Sequence, residues 1–309
     1  MTDWPATGSN PGRIGSATRR RRQWRGTWHM WLGLAVLLVG FVGPMVLMII
    51  NSATDSAAAS VAGSATADHY LSFFREPVYL RVLMRSALVA GAVATATAII
   101  GFPVAWYLVN RTGFVANLLL FSLMAPLLAG GVVVSFGWLT LFIRGGAVQR
   151  GFELLPFVEE GPILFHTVPG MLIALTHFLL PFMVISLTAT LERLDRNAIK
   201  AARSLGAGPT SVLLRVLLPM STPGFVGGMT LVFALSMSAF SVPFFVGGPQ
   251  TLMLATLSYQ QNARLANYSF GAVVALILVS VSAIAAVLLR QTAVTINPSV
   301  MRSRRVDLE

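Results

Sequence analysis

The sequence predicts an all-α membrane protein with six transmembrane helices. Three observations lead to this prediction: 55% of the 309 residues are hydrophobic, only 11% are charged, and the mean hydropathy is +0.75. A water-soluble domain usually has about 25% charged residues, so the composition argues against a single water-soluble domain. The chain has no cysteine, which excludes disulfides, zinc thiolates and cysteine nucleophiles.

Six apolar runs are long enough to cross a bilayer as helices, which takes roughly 20 residues each. Apart from the choice of exact ends, none of them contains Asp, Glu, Lys or Arg. One such charge in the middle of a span would cost about 2.5–3.5 kcal/mol, so their absence fits a lipid environment. The predicted spans are 31–50, 86–108, 118–143, 167–188, 224–246 and 270–289.

The first span follows basic residues and precedes small ones, as the core of a secretory signal peptide does. Its 20 apolar residues exceed the roughly 7–15 of a signal core, so we interpret it as a retained anchor. Residues 70–83 then carry an amphipathic pattern. It predicts a helix at the outer membrane surface, with Pro77 as a break or kink.

The basic residues predict the orientation of the chain. With the N-terminus inside, 16 of the 22 Lys and Arg residues lie in cytoplasmic segments and only 6 in outer loops. The positive-inside rule therefore predicts that both termini are cytoplasmic. Because these residues lie at the ends of apolar runs, the net charge of +11 indicates membrane lipid and not nucleic acid as a partner. The predicted parts are a basic tail at 1–29, a six-span domain at 30–290 and a second tail at 291–309.

Motifs for enzyme chemistry are missing from the sequence. It has no H-E-x-x-H, no G-x-S-x-G and no G-x-x-x-x-G-K-[ST] phosphate loop, so neither a hydrolase nor ATP use by that route is expected. A secondary transporter usually needs an ionisable group at mid-membrane. Within the spans, only His177 and Tyr107 have titratable side chains.

The connection between the fourth and fifth spans predicts a helical hairpin at 195–219. Asp195 suits the N-cap of a short helix, and Gly206 suits the position just after its end. Pro209 fits the first turn of a second helix, and Pro219 is expected to end it. Alanines on the first helix leave room for another protein to approach closely.

This hairpin resembles the E-A-A-x3-G-x9-I-x-L-P loop of the membrane subunits of binding-protein-dependent ABC importers. Gly206 matches the glycine of that pattern, and Lys200 departs from it, because the family usually has Glu at this position. Segments 179–184, 218–225 and 239–248 are similar to the spermidine/putrescine branch of the family. The other matching positions are Ala201, Ala202, Val216, Leu218 and Pro219.

The resemblance implies a multi-pass permease subunit of the bacterial inner membrane, with the type I ABC importer fold and a polyamine as the leading candidate solute. It implies cytoplasmic ATPase subunits that bind ATP and Mg²⁺, a second and related permease subunit, and an extracytoplasmic solute-binding protein. This chain itself would bind no cofactor or metal and have no enzyme activity. The residues expected to couple it to the ATPase are Lys200, Ala201, Ala202, Arg203, Gly206 and Pro219.

Polar and aromatic side chains in the spans are the candidates for contact with the solute. Hydrogen bonds between helices explain each of them as well, so both interpretations stay open. A secondary transporter or channel that works without an ATPase also remains as an alternative function. The candidate pathway residues are Trp138, His177, Ser236, Ser238, Phe240 and Ser241.

Overall fold

The computed structural model describes residues 28–54, 68–155 and 160–296, and most of them are helical. Short π-helical turns occur at Leu213–Leu217, Pro243–Gly247 and Gln260–Arg264. The helices are α1 (Trp28–Ala53), α2 (Asp68–Arg75), α3 (Pro77–Asn110), α4 (Phe114–Phe142), α5 (Ala147–Glu153), α6 (Val168–Leu191), α7 (Arg196–Ser204), α8 (Pro209–Met220), α9 (Thr222–Ser238), α10 (Leu254–Tyr259) and α11 (Tyr268–Ile296).

Five of these helices, α1, α3, α4, α6 and α11, are long and apolar enough to cross a membrane. A sixth span is obtained when α8 and α9 are taken together, although they meet at 63°. With 17 residues, α9 alone is about 25 Å long, which is slightly less than the hydrocarbon thickness of a bilayer. All six predicted spans correspond to these helices, and the predicted all-α membrane fold is confirmed.

The structure differs most clearly from the prediction in three spans. The second span begins at Pro77, nine residues early, because proline is well suited to the first turn of a helix. The third is broken at Gly130. The fifth ends at Ser238 and not at Val246, because Ala239 is extended.

The centre of the fold is formed by α3, α6 and α9, which pack against one another through small residues. Gly101 of α3 and Gly224 and Gly228 of α9 all face α6. At Gly224 the helices are close enough for the Ser186 hydroxyl to donate a hydrogen bond of 2.9 Å to the Gly224 carbonyl. A side chain at these positions would push α6 away, so the sequence of α9 requires glycine for the contact.

The remaining spans surround this core. On one side α11 packs against α9, and α1 packs against α11. The end of α1 is held by two hydrogen bonds, from the Tyr70 hydroxyl to Ser52 Oγ at 2.9 Å and from Ser269 Oγ to the Thr54 carbonyl at 2.7 Å. On the other side α4 packs against α6 along part of its length and leaves much of its surface exposed.

Successive spans run in opposite directions, so the segments that connect them lie at two opposite ends of the molecule. The hairpin end contains α7 and α8, and the opposite end contains α2, α5 and α10. At the opposite end, Arg85 of α3 donates hydrogen bonds to the carbonyls of Gln250 and Leu252, and the Leu254 amide donates to Ser86 Oγ at 2.9 Å. These bonds fix the segment after α9 onto α3.

The predicted cytoplasmic orientation of both termini stays a prediction. The tails at 1–29 and 291–309 lie mostly outside the described residues. The amphipathic segment 70–83 is divided at Glu76, as expected from Pro77, but its second half belongs to the long helix α3 and not to a surface helix.

Candidate functional site

The hairpin begins with a capped helix, as the sequence predicts. Asp195 Oδ1 accepts a hydrogen bond of 2.9 Å from the Asn197 amide at the start of α7. At the other end the Ala207 amide donates to the Ala202 carbonyl at 3.0 Å, and the Gly206 amide donates to the Arg203 carbonyl at 2.9 Å. This pair of bonds is a Schellman motif, which requires a left-handed residue, and Gly206 has a φ of +85°.

The two sides of α7 differ in what they contact. Ile199 and Ala202 face the core, whereas Ala201 and Leu205 are exposed. Leu205, at the tip of the hairpin, has 88% of its surface exposed. The predicted coupling residues Ala201 and Gly206 therefore lie on a small, accessible surface, and Leu205 belongs to it as well. Leu205 was not among the residues predicted for coupling. The spacing of the apolar residues along this helix could have identified it.

The second helix of the hairpin, α8, does not end at Pro219 as predicted. It contains a π-helical turn at Leu213–Leu217, runs through Pro219 and ends at Met220. The proline has no N–H to donate, and a wider turn just before it relieves the clash with the preceding carbonyl. Ser221 Oγ donates to the Leu217 carbonyl at 2.7 Å, and the chain then turns into α9.

Two predicted pathway residues from different spans contact each other. The Trp138 indole N–H of α4 donates to Nδ1 of His177 of α6 at 3.3 Å, and the rings meet edge to face. An imidazole that accepts at Nδ1 carries its proton on Nε2. Both side chains border an open groove of about 780 Å³ along α4, which is otherwise mainly apolar.

Two breaks in the helices meet beside this groove. Gly130 interrupts α4 with φ 79° and ψ 157°, a conformation open only to glycine. The next residue, Gly131, lies against Ser241, which follows the break after α9: a Cβ on Gly131 would lie 2.6 Å from Ser241 Oγ. Ser241, a predicted pathway residue, thus lies at the contact between the two interrupted segments.

The other predicted pathway residues have different surroundings. Phe240 is part of an aromatic cluster with Phe244 and Tyr259, at centroid distances of 5.0 Å and 4.6 Å. Ser236 is fully buried within α9, and its hydroxyl has no hydrogen-bond partner in the described ranges. Ser238 is exposed and bonds to the Leu235 carbonyl of its own helix. Neither serine borders the groove.

A polar cavity of about 480 Å³ at the opposite end was not predicted from the sequence. Glu76 and Tyr79 line it from the start of α3, and Gln261 and Asn267 line it from the segment before α11. The mixture of aromatic and charged residues in 70–83 is the sequence feature that could have indicated this cavity. Within the described parts of the chain, no group of three or more His, Asp or Glu side chains could hold a metal ion.

Comparison with known proteins identifies the family. The family model for the inner membrane component of binding-protein-dependent transport systems matches residues 81–294. The spermidine/putrescine transport system permease protein PotB of Escherichia coli (strain K12) is 32% identical over 245 residues, which cover 78% of this chain and 86% of PotB. The inner membrane ABC transporter permease protein YdcU of the same strain is 28% identical over 274 residues, covering 81% of this chain and 87% of YdcU.

The fold is shared with a solved importer. A chain in the crystal structure of a bacterial alginate ABC transporter, in complex with alginate pentasaccharide-bound periplasmic protein, superimposes with a TM-score of 0.70. The match covers 89% of this chain and 96% of that chain at 13% identity, so it shows the fold alone, that of type I importer permeases. The chain therefore belongs to the inner membrane components of binding-protein-dependent transport systems, as a multi-pass permease subunit of an ABC importer.

Proposed function

We propose that this permease forms one half of the pathway of an ATP-driven importer for a cationic polyamine. In this proposal the hairpin of α7 and α8 docks on a cytoplasmic ATPase subunit. The groove along α4 faces a second, related permease subunit. A solute-binding protein delivers the polyamine at the opposite end of the molecule.

The observation that carries the proposal is the connection of the exposed hairpin to the core. Its two ends continue directly into α6 and α9, which are two of the three central helices. A push on Ala201 and Leu205 would therefore move the core and would not be absorbed by a flexible loop. ATP and Mg²⁺ would be held by the partner, since this sequence has no phosphate loop. ATP from one side and the loaded binding protein from the other would then bias the same two-state equilibrium.

The groove supports a second permease subunit as the neighbour of α4. Large apolar side chains of α4 are exposed, among them Phe121, which lines the groove, and Leu128, which has 83% of its surface accessible. Lipid alone would suit these residues, but not the polar pair Trp138 and His177, which interrupts the same surface. A polar group exposed within a span usually faces a protein partner or an aqueous path.

The choice of a polyamine rests on PotB and on aromatic surfaces that suit ammonium groups. The Trp138 indole borders the groove, and an ammonium group over such a ring gains about 0.5–2 kcal/mol. At the opposite end Glu76 is among the residues that line the polar cavity. A carboxylate at this cavity would attract the cation before it enters the groove.

The experiment is co-purification of the ATPase with hairpin variants. Gly206→Val places a β-branched residue at φ +85°, a backbone conformation that such residues rarely adopt. This variant should release the ATPase while the chain still inserts into the membrane. Gly208→Val is the matched control, because Gly208 has an ordinary φ of −67° and also open space around it. Gly206→Asn should retain the ATPase, since Asn tolerates the left-handed conformation.

Three results would contradict the proposal. An ATPase that stays bound to the Gly206→Val variant would show that the hairpin is not the docking element. Equal loss in the Gly208→Val variant would show that the backbone conformation at Gly206 is not what matters. A wild-type chain that purifies folded without any ATPase would favour the secondary transporter instead.

A further inference from the structure

A basic cavity of about 180 Å³ lies between α7 and the ends of α3 and α6 at the hairpin end. Arg196, Lys200 and Arg203 line it from α7, and Trp106 lines it from α3. Residues such as Leu191 and Val109 supply an apolar part of the wall. No acidic side chain is among the described residues that line it.

The three basic residues share one side of their helix. Positions 196, 200 and 203 are separated by four and three residues, which brings them to the same face of an α-helix. Ala201 and Leu205 are rotated to the other side, where they form the exposed docking surface described above. The basic cavity and that surface are therefore two separate features of α7, and one can be occupied while the other is in use.

The basic side has no partner of opposite sign within the cavity. Like charges at a spacing of three or four residues repel each other, so an anion among them relieves this repulsion. The nearby carboxylate of Asp195 accepts the Asn197 amide at the start of the helix and does not line the cavity. Lys200 lies in the middle of this set, and it is the position where the hairpin departs from the Glu of the family pattern.

The wall of the cavity indicates which anion it suits. Trp106 and Leu191 belong to the last turns of two spanning helices, and tryptophan is enriched where a helix leaves the lipid. An anion with an apolar chain attached would fill both the basic and the apolar parts, whereas an inorganic anion would leave the apolar part uncovered. Basic pockets between spanning helices are suited to the head groups of acidic lipids.

We infer that Arg196, Lys200 and Arg203 form a binding site for the phosphate of an anionic phospholipid in the leaflet at the hairpin end. The glycerol and the start of the acyl chains then lie against Trp106 and Leu191. This inference does not depend on the solute, and it assigns Lys200 and Arg203, which were predicted to couple to the ATPase, to a lipid instead. Its consequence is that the lipid fixes the base of α7 against α3 and α6, directly beside the proposed docking surface.

The test uses the full chain, purified with its partners and placed in phosphatidylcholine nanodiscs with or without phosphatidylglycerol. Bound lipid is counted by native mass spectrometry after gentle release. The test variant is the triple substitution Arg196→Gln, Lys200→Gln and Arg203→Gln. The control removes the same charge from the same end of the molecule, at residues that do not line the cavity: Arg111→Gln, Arg193→Gln and Arg215→Gln.

The wild type and the control are expected to retain phosphatidylglycerol in preference to phosphatidylcholine. The test variant is expected to lose this preference by about a hundredfold, because each of the three basic side chains near an anionic lipid contributes about a factor of five. If both triple variants lose the preference for phosphatidylglycerol equally, the preference comes from general surface charge. If the test variant keeps the preference, the cavity does not bind the lipid. Either result overturns the inference.

Two further arms separate the lipid from other anions. Inorganic phosphate at millimolar concentration should leave phosphatidylglycerol bound, and displacement by it would assign the cavity to a free anion. The ATPase that accompanies the chain is measured in the same samples. If the test variant loses the ATPase but keeps its phosphatidylglycerol, the cavity belongs to a protein interface and the inference is overturned.

Discussion

The central core and the helix α4 use glycine for opposite purposes. In the core, Gly224 allows α9 to approach α6, and a Cβ there would lie 2.9 Å from the Cβ of Thr190. In α4, Gly130 and Gly137 have nothing within 4 Å of the position of a Cβ, and Gly130 provides a backbone conformation instead. The core is therefore closely packed, whereas α4 is broken and open on one side.

In the proposed mechanism, this difference gives separate roles to two parts of one subunit. The hairpin is continuous with the core helices α6 and α9, so a displacement of the hairpin is transmitted through rigid contacts. The groove lies along α4, where a break at Gly130 meets the break after Ser238. A subunit built in this way can move its core as one body and adjust the pathway side locally.

The largest expected effect is on stability, from Gly224→Ala in the core. The added methyl group overlaps Thr190 and should cost about 1–3 kcal/mol of unfolding free energy, since it must separate two helices. Thermal unfolding of the purified chain measures this. Gly227→Ala, on the same helix, meets only Ser186 Oγ at 3.2 Å and is the control. Equal destabilisation by both variants would mean that the close contact at Gly224 tolerates an added methyl group no worse than the looser contact at Gly227.

The second effect is on transport, from Gly130→Ala in α4. A side chain in this conformation costs about 1–3 kcal/mol, so α4 should straighten and the broken form should become about tenfold rarer. Uptake should fall accordingly, while the unfolding temperature changes little because α4 is loosely packed. Gly137→Ala is the control, as it lies in regular helix with open space around it. Normal uptake by the Gly130→Ala variant would show that the break has no role.

The smallest effect concerns the hydrogen bond between Trp138 and His177. Trp138→Phe keeps an aromatic ring but removes the indole N–H, and a hydrogen bond between spanning helices is worth about 0.6 kcal/mol. A double-mutant cycle with His177→Ala, measured on the apparent affinity for solute, should give a coupling of this size. Additive effects of the two substitutions would mean that the pair does not act together at the groove.

The sequence predicted the elements that depend on local chemistry. Six apolar runs located the spanning helices, because lipid excludes charged side chains from them. Asp195 and Gly206 predicted the ends of α7, since a cap and a left-handed residue act through bonds to their immediate neighbours. The family followed from the spacing between Gly206 and Pro219, and the comparisons confirm it.

Features that depend on distant contacts were missed. The predicted span at 224–246 ends early at Ser238, and Arg85 and Ser86 of α3 bind the segment at 250–254 that follows the run. Pro243 could have indicated a break in this run, but the bonds to α3 could not be read from it. The contact between Gly131 and Ser241 likewise joins residues more than a hundred positions apart. Pairing of Trp138 with His177 could be suspected from composition, but their distance follows only from the crossing of α4 and α6.

Uptake of spermidine into proteoliposomes would test the central claim most directly. The vesicles would contain this subunit with its co-purified partners, with ATP and Mg²⁺ enclosed on the hairpin side and the solute-binding protein on the other. Uptake is expected only when ATP and the binding protein are both present, and it should be lost with the Gly206→Val variant. Uptake driven by an ion gradient without ATP would contradict the account and identify a secondary transporter.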